Sequence, residues 1–504
     1  MWFEYENRRS VAMLDGQVVR LRLHIRRCQN ITCDRYRKAY RPEEEGRWAL
    51  PEHEFGLDII ALIGALRYQE HRSVPEMHRA LRRRQVEISE RSVTNLLDRY
   101  DELLAVSLTD NRRLRRVLSE AGGVILAIDG LQPDVGHEVL WIVRDCLSGE
   151  ILLGRSLLSA TADDLVELLQ EVKAWLPVDV IGVISDGQRS LRKAVARVWP
   201  QAPHQLCHFH YLREAAHPVY EADRHAKKEL KKRVRGVRPL ERSVEGRRDA
   251  MARVIHEYCA AVRSALTDDG RPPLAASGLK LHARLTAIQH SLERAGKRGP
   301  LPKELLTLHR LLERALQHTA ALWPPIRRAF GWVHQAAHIL DNDVGLKGSQ
   351  VRQRLCGLLA AIARWRGQAG DLAATMAHFL KVSRSYWPGL FHCYDVEGLP
   401  RTNNDLEHVF GSHRYHERRA TGRKVASPAL VLRGSVRLLA ALATRSSVYS
   451  AQDLACCSPT AWKAVRMTLD RRRQTRVCQH RFRRDPDAYL AGLGEQLVKL
   501  ILPP

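Results

Sequence analysis

Four short apolar runs between residues 124 and 184 constrain the fold of this chain more than any other feature. They cover residues 124–128, 139–143, 151–158 and 178–184, and each has the length and composition of a buried strand. Two amphipathic stretches, 163–176 and 190–199, have the apolar spacing that is typical of helices. Three strands in series, followed by alternating helix and strand, predict an α/β fold with a mixed sheet and argue against a doubly wound one.

Between residues 214 and 385 the sequence favours helices almost throughout. The composition there is rich in Leu, Ala and Arg and poor in β-branched residues, as in helical segments. The clearest predicted helices cover residues 247–266, 279–295, 301–322 and 350–368. Lys and Arg are concentrated between residues 227 and 238, a pattern that ordinarily indicates a solvated surface.

The charge of the chain indicates a polyanionic partner. Its 504 residues include 81 Lys and Arg against 56 Asp and Glu, a formal net charge of +25 at pH 7. Because 45% of the residues are hydrophobic, this charge belongs to folded domains and not to a basic tail. Nucleic acid is the first candidate partner, although an ordinary basic soluble protein has a similar composition.

Other features of the composition predict where the protein acts. The sequence starts without the apolar core of a signal peptide, and none of its apolar runs is long enough to span a bilayer. Its ten cysteines are mostly scattered and do not form the framework of a secreted scaffold. We therefore expect a cytoplasmic, nucleoid-associated protein with reduced cysteines and no membrane partner.

The N-terminal segment resembles one half of a zinc ribbon. Residues 17–26 alternate apolar and polar side chains, which predicts a half-buried strand, and the Asp-Gly pair before them predicts a tight hairpin turn. Cys28 and Cys33 follow with four residues between them. Tetrahedral Zn²⁺ needs four ligands, so His24, His53 or residues upstream would have to complete the site. Two structural cysteines in a basic loop are the alternative.

A helical region follows, with predicted helices at residues 56–68, 73–83 and 90–104. Ser73 and Ser89 stand at N-cap positions, and Ser73 has Glu at the capping-box position. Three short helices fit a helix-turn-helix, whose last helix would enter a DNA major groove. The candidate DNA-binding side chains on its polar face are Arg91, Asn95 and Arg99. An ordinary helical linker is the alternative.

Two apolar strands end in the same way, at Asp129 and at Asp186, each followed by Gly. Carboxylates at the ends of neighbouring strands can bring oxygen ligands to one place, and hard Mg²⁺ or Mn²⁺ prefers such ligands. Asp-Gly after a strand is also a common turn, and this alternative stays open for each Asp taken singly.

A third acid, Glu407, lies in the first turn of a helix predicted to run from residue 404 to about residue 420. It falls three positions after Asn404, so it is either a capping-box residue or the third carboxylate of a metal site. The same helix and the loop after it carry cations that would track DNA phosphates, namely Arg414, Arg418, Arg419, Arg423 and Lys424.

In combination these motifs resemble those of Mutator-like DDE transposases and related bacterial insertion-sequence transposases. The motifs are Asp129 in AIDG, Asp186 in ISDG, the stretch HQLCHFH at 204–210, and RTNNDLE ending at Glu407. The resemblance covers about residues 122–424. It implies a ribonuclease-H-like mixed sheet with a large all-α insertion, preceded by a small β-ribbon and a helix-turn-helix-like DNA-binding region.

The resemblance also implies roles for individual residues. Asp129, Asp186 and Glu407 would hold two Mg²⁺ or Mn²⁺ ions for DNA cleavage and strand transfer. The family's Cys-x-x-His element is matched by Cys207 and His210. Cys207 would then shape the catalytic pocket and His210 would contact substrate phosphate, while a zinc pair or packing under the sheet are the alternatives.

The implied partner is double-stranded DNA, both the inverted-repeat ends of an element and its target. Paired ends imply a homodimer or a larger synaptic complex. Two other classes of function stay open: a catalytically inactive, domesticated DNA-binding protein, and a ribonuclease-H-like, structure-specific nuclease that cuts without joining.

On this interpretation the chain has six regions. They are a β-ribbon with a partial zinc ribbon (1–55), a helical DNA-binding region (56–118), the first part of the catalytic core (119–235), a helical insertion (236–395), the second part of the core with the Glu407 helix (396–450) and a basic helical tail (451–504).

Overall fold

The computed structural model describes residues 2–132, 138–267, 270, 273–423, 428–455 and 458–501. These residues are mostly helical and include two β-sheets, which confirms the α/β class. The strands are β1 (Trp2–Ala12), β2 (Val18–Arg27), β3 (Ala39–Tyr40), β4 (Val124–Leu131), β5 (Val139–Asp145), β6 (Ile151–Leu157), β7 (Val180–Ser185) and β8 (His204–Leu206). The four predicted apolar strands correspond to β4, β5, β6 and β7.

The larger sheet combines antiparallel and parallel pairs, so the predicted mixed sheet is confirmed. Its strand order is β6-β5-β4-β7-β8, with β5 antiparallel to β4 and β6, and β7 parallel to β8. The smaller sheet has the order β1-β2-β3, all antiparallel.

The helices for which the sequence predicts bounds are present, with ends displaced by a few residues, and further helices lie between and after them. They are α1 (Glu45–Trp48), α2 (Leu57–Tyr68), α3 (Val74–Arg82), α4 (Glu90–Leu108), α5 (Asn111–Ala121), α6 (Ala162–Trp175), α7 (Arg189–Val198), α8 (His208–Arg233), α9 (Val237–Ser243), α10 (Ala250–Thr267), α11 (Ser277–Gly296), α12 (Lys303–Thr319), α13 (Trp323–Asp341), α14 (Gly348–Trp365), α15 (Ala373–Tyr386), α16 (Asn404–Thr421), α17 (Pro428–Ser446), α18 (Ala451–Ala455), α19 (Pro459–Arg484) and α20 (Pro486–Ile501). None of the helices among the described residues has the length and apolarity that a membrane span requires.

The chain forms two compact units. The first comprises Met1–Val180, Lys193–Pro200 and Asn404–Pro504, and the second comprises Ile181–Arg192 and Gln201–Asn403.

In the first unit the β1–β2 hairpin forms as the alternation predicts. Leu23 and Ile25 of β2 are buried, while His24 between them and the arginines on either side, Arg22 and Arg26, are exposed. Gly16 adopts a φ of +81° in the turn, a conformation that glycine reaches without steric cost. The capping box at Ser73 and the N-cap at Ser89 are both present, so α3 and α4 begin where the sequence indicates.

The core of the first unit's helical part is built around α4. Tyr100 of α4 is fully buried, and a Cβ on Gly64 of α2 would lie 2.2 Å from its ring. Only glycine therefore lets α2 and α4 approach this closely. Apolar side chains of α17, α18 and α19 complete this core.

The second unit is a helical body with one continuous apolar core. Its longest helix, α8, has 26 residues and begins directly after β8. Tyr211 of α8 is fully buried, and its hydroxyl lies 2.8 Å from Ser383 Oγ of α15. Such buried contacts fix α8 against α15 at the end of the helix that carries the HQLCHFH motif.

Candidate functional site

The chain leaves β7 through a tight turn that presents Asp186. Ser185, the last residue of the strand, is fully buried, and the Asp186 carboxylate accepts a hydrogen bond from the backbone N–H of Gln188 at 2.9 Å. Gly187 has a φ of +89°, which a residue with a side chain reaches only with strain. The Asp-Gly pair is therefore a turn, and this turn holds the Asp186 carboxylate at the end of the strand.

A tyrosine of the helical insertion braces this turn. The Tyr386 hydroxyl lies 3.0 Å from the backbone carbonyl oxygen of Asp186 and 2.9 Å from Oε2 of Glu214. The ring packs so closely that a Cβ on Gly187 would be 2.7 Å from it. Burial and the Glu214 carboxylate raise the pKa of Tyr386. The hydroxyl is therefore protonated at neutral pH and acts as a hydrogen-bond donor.

Arg192 supports the same turn from the other side. Its Nε donates to the backbone carbonyl of Gly187 at 2.6 Å, its Nη1 donates to the carbonyl of Ser385 at 2.6 Å, and its guanidinium lies 4.5 Å from the centre of the Tyr386 ring. A cation above an aromatic face is attracted to it, so Arg192 and Tyr386 stabilise each other beside Asp186.

A cleft of about 1030 Å³ opens beside this turn. Its described lining, all in the second unit, includes Asp186, Arg192, His210, Arg213 and Glu214. The first turns of α8 supply the last three of these side chains. The cleft therefore combines an acid after a strand with an imidazole and two guanidiniums, groups that suit a metal ion and a phosphate respectively.

Cys207 does not face this cleft. It is fully buried at the N-terminus of α8, and its Sγ accepts a hydrogen bond from the backbone N–H of Asn403 at 3.3 Å. His210, one turn later, is half-buried and lines the cleft. Of the two residues of the Cys-x-x-His element, one is thus built into the interior and the other faces the cleft.

The other two histidines of the motif are structural in character. His204 Nε2 lies 2.8 Å from Ser185 Oγ, and His208 Nε2 lies 2.7 Å from the backbone carbonyl of Leu390. Burial lowers the pKa of His204 to about 3 and the pKa of His208 to about 4. Both imidazoles are therefore neutral at physiological pH and serve as hydrogen-bonding side chains of the core.

Asp129 lies in the first unit, in the second half of β4. It is 7% exposed, and its Oδ1 accepts a hydrogen bond from the backbone N–H of Gly130 at 2.8 Å. Glu407 lies in the first turn of α16, as predicted, but its side chain is outside the described residues. Among the residues that are described, no group of three or more His, Cys, Asp or Glu side chains is arranged to hold a metal ion.

The predicted phosphate-tracking cations of α16 and of the loop after it are exposed to solvent where the structure describes them. Arg414, Arg418, Arg419 and Arg423 are all exposed, and Arg414 also donates to the backbone carbonyl of Gln132 at 2.8 Å. Lys424 lies outside the described residues.

The opposite face of α16 carries buried charges that sequence reasoning missed. Glu417 is 6% exposed, accepts a hydrogen bond from Arg67 Nη2 of α2 at 2.7 Å, and lies 3.9 Å from Arg437 Nε of α17. His413, one turn earlier, is also buried, and this burial lowers its pKa to about 4. The helix that carries Glu407 is thus tied to α2 and α17 by charge. A glutamate within an arginine-rich helix gives no sign in the sequence that it is buried.

The three predicted DNA-reading side chains of α4 differ in their surroundings. Arg91 and Asn95 are exposed. Arg99 is half-buried and forms an ion pair with Glu102, which is 1% exposed. Arg99 therefore neutralises an internal carboxylate in this structure, and only the first two side chains are unobstructed.

The two N-terminal cysteines lie beyond the end of β2. Cys28 and Cys33 are half-buried thiols, and hydrogen bonds from a backbone N–H and from Cys28 lower the pKa of Cys33. The candidate histidines are engaged elsewhere: His53 Nδ1 lies 2.9 Å from a backbone carbonyl oxygen, and His24 packs against an aromatic ring. In the described ranges, no third metal-ligating side chain is grouped with these two thiols.

One comparison with known proteins bears on this site. Residues 163–270 match the model of a protein family described as "Transposase, Mutator family". The matched segment contains Asp186, Cys207, His210 and the whole of α8, and it excludes Asp129 and Glu407. No curated protein matches the chain.

Proposed function

Residues 163–270 match the model of the Mutator family of transposases, and we propose that the chain is a DDE transposase of an insertion sequence. In this proposal Asp129, Asp186 and Glu407 are the catalytic acids of a ribonuclease-H-like core. The enzyme cleaves DNA at the element ends and transfers the resulting strands to target DNA.

The observation that carries the proposal is the position of Asp186. It follows a buried strand, its turn is braced by Tyr386 and Arg192, and it lines a cleft together with His210 and Arg213. The braced turn fixes the position of the carboxylate beside cationic side chains, an arrangement that suits a site where a metal ion must lie next to a phosphodiester.

The described donor atoms fit a hard divalent cation. Asp129 and Asp186 contribute carboxylate oxygens, and Oδ2 of Asp186 accepts no hydrogen bond from the part of the chain that the structure describes. Carboxylates are the ligands that Mg²⁺ and Mn²⁺ prefer.

Divalent ions held by these acids would activate the attacking water or DNA 3′-hydroxyl and would stabilise the leaving oxygen. The protein's own part is to bind and orient. Arg213, a guanidinium that lines the cleft, binds a non-bridging phosphate oxygen, and His210 donates a hydrogen bond to the same phosphate. Tyr386 and Arg192 bond the backbone carbonyls of Asp186 and Gly187, and so they hold the turn that carries the Asp186 carboxylate.

The test is cleavage of end-labelled duplex DNA that spans the junction between one end of the element and the DNA next to it. The purified chain is incubated with this DNA in Mg²⁺ or Mn²⁺, at a salt concentration low enough to retain binding. Asp186→Asn keeps the shape of the side chain and removes its charge. Asp163→Asn makes the same change at an acid that is 86% exposed and pairs with the surface side chain of Arg197.

We expect metal-dependent 3′-hydroxyl ends from the wild type and from Asp163→Asn, and none from Asp186→Asn. Joining of those ends to a second duplex identifies a transposase, whereas cutting without joining identifies a nuclease. Tight binding with intact DNA in all three proteins would refute the proposal and leave a DNA-binding protein.

A further inference from the structure

One face of α8 carries polar side chains from the Asp186 cleft into a second, more basic cleft. His210, Arg213, His217 and Tyr220 follow one another at intervals of three or four residues, so they lie on one side of the helix, and all four line the first cleft. Tyr220 also lines the second cleft, which has a volume of about 800 Å³. The two clefts thus meet at Tyr220.

The second cleft is strongly cationic. Its described lining includes Arg224, Lys227, Lys228, Lys231, Lys232 and Arg235 and contains no acidic residue. Arg224, Lys228 and Lys231 continue the spacing of three or four residues, so the face that begins at His210 runs to the last turn of α8. Arg235 follows in the turn after the helix and also lines the second cleft. We call this face, together with Arg235, the α8 stripe.

Several cations of the stripe are available to a ligand. Arg224 pairs with Glu221 at 3.2 Å, but Lys228 and Arg235 are exposed and form no ion pair with the residues that the structure describes. Helix geometry places the cations at about one per turn, or roughly every 5.4 Å. Holding like charges in a row costs free energy through repulsion, which a polyanion laid along the row would offset.

We infer that the α8 stripe is a docking surface for the sugar-phosphate backbone of duplex DNA, which it guides into the Asp186 cleft. The identity of the polyanion rests on the proposed function, while the surface itself rests on the spacing, exposure and charge of these side chains. From His210 to Lys231 the helix rises about 32 Å at 1.5 Å per residue. At 3.4 Å per base pair this length matches about nine base pairs, nearly one turn of duplex.

The chemistry of the lining favours a duplex over a single strand. Proteins that bind single strands stack the bases on successive aromatic side chains. Among the described residues that line the second cleft, Tyr220 is the one aromatic residue, and the rest are cations or small. Such a surface binds phosphates without reading bases, so it holds DNA beside the cleavage site irrespective of sequence.

Lysine footprinting tests this inference on the intact protein. The chain is acetylated with and without a mixed-sequence duplex of about 30 base pairs, roughly three helical turns. The buffer contains EDTA, so that no cleavage occurs. Mass spectrometry then reports the modification of each lysine. We expect Lys228 and Lys231 to be protected, while Lys297 and Lys303, on the loop after α11 and at the start of α12, react as before.

Charge neutralisation provides a second measurement. Affinity falls as salt rises, with a slope of about −0.9 in log affinity against log salt for each phosphate contact. Lys228→Ala/Arg235→Ala removes two such contacts, so its slope should be shallower than that of the wild type by about 1.8. The matched control is Arg233→Ala/Arg238→Ala, which removes two exposed cations beside the stripe that do not line the second cleft. Its slope should not change.

The outcomes separate this inference from the proposed function. If Lys228 is acetylated equally with and without bound duplex, the inference is overturned even if the protein cleaves DNA. Protection with no cleavage in Mg²⁺ would support the surface and count against the catalytic proposal. Stronger protection by a single-stranded oligonucleotide of the same length than by the duplex would refute the duplex assignment.

Discussion

The backbone N–H of Asn403 donates a hydrogen bond to Cys207 Sγ, 3.3 Å away, across 196 residues of sequence. Asn403 is 3% exposed and is followed directly by α16. The thiol thus satisfies a buried donor where the chain leaves the helical insertion. This contact favours a positioning role for Cys207, at the base of the segment that leads to Glu407.

Cys207→Ala should lower the free energy of unfolding by about 1–3 kcal/mol, because the Asn403 N–H loses its acceptor inside the protein. Cys207→Ser keeps an acceptor and should cost less. Urea denaturation measures both changes, and Cys356→Ala, which removes an exposed thiol, serves as the control. If Cys207 instead binds zinc, a chelator will destabilise the wild type as much as the alanine substitution does, and our assignment is wrong.

Gly187→Ala should abolish most DNA cleavage while DNA binding is retained. The new Cβ would lie 2.7 Å from the Tyr386 ring, at a φ of +89°, so the Asp186 turn must shift. Gly246→Ala isolates the backbone strain, because Gly246 has a φ of +90° and no atom within 4 Å of the new Cβ. That control should cost about 1 kcal/mol of stability without affecting cleavage. Equal cleavage by the two variants would contradict the bracing role of Tyr386.

Strands β4 to β7 and about half of the helices could be predicted individually because their signals are local. The apolar runs of β4 to β7 and the capping box at Ser73 are each contained within a few residues. The position of Asp186 after β7 followed from the same pattern. The role of Tyr386 could not be found in this way, since it contacts the turn from 200 residues away and stands in no motif.

Arg99 shows why a helix face deduced from sequence is incomplete. Periodicity placed it on the polar side of α4, together with Arg91 and Asn95. The structure turns it toward Glu102, three residues later, which is buried against Arg433 of α17 and Trp462 of α19. Helices α17 and α19, far along the chain, cover that part of α4, and the local sequence of α4 does not indicate this contact.

Acidification should destabilise the protein between about pH 6.5 and pH 4. Burial lowers the pKa of His413 from 6.5 to about 4, so in this window the unfolded chain binds a proton that the folded chain excludes. The stability is complete above pH 6.5 and is lost as the pH falls, by up to about 3 kcal/mol for one such histidine. His208, whose pKa is likewise about 4, contributes in the same direction.

Urea denaturation at a series of pH values measures this effect. His413→Met removes the titrating group and should flatten the dependence on pH below 6.5, whereas His334→Met replaces an exposed histidine and should leave it unchanged. A dependence as steep in His413→Met as in the wild type would show that His413 does not titrate as its burial requires.

The buried Glu417 should matter more to stability than either of its arginine partners. Breaking a buried ion pair leaves the other charge uncompensated, which typically costs about 3–5 kcal/mol. Glu417→Gln removes the carboxylate that faces both Arg67 at 2.7 Å and Arg437 at 3.9 Å, and only Arg437 keeps a second acid, Asp101 at 3.9 Å, among the described residues. Arg67→Met leaves Glu417 still facing Arg437. We therefore expect Glu417→Gln to be the more destabilising change.

The exposed pair of Arg197 and Asp163 supplies the control, since Arg197→Met should cost less than about 1 kcal/mol. A double-mutant cycle of Arg67→Met and Glu417→Gln, measured by urea denaturation, tests the coupling. Strictly additive effects would mean that this pair does not tie α16 to α2.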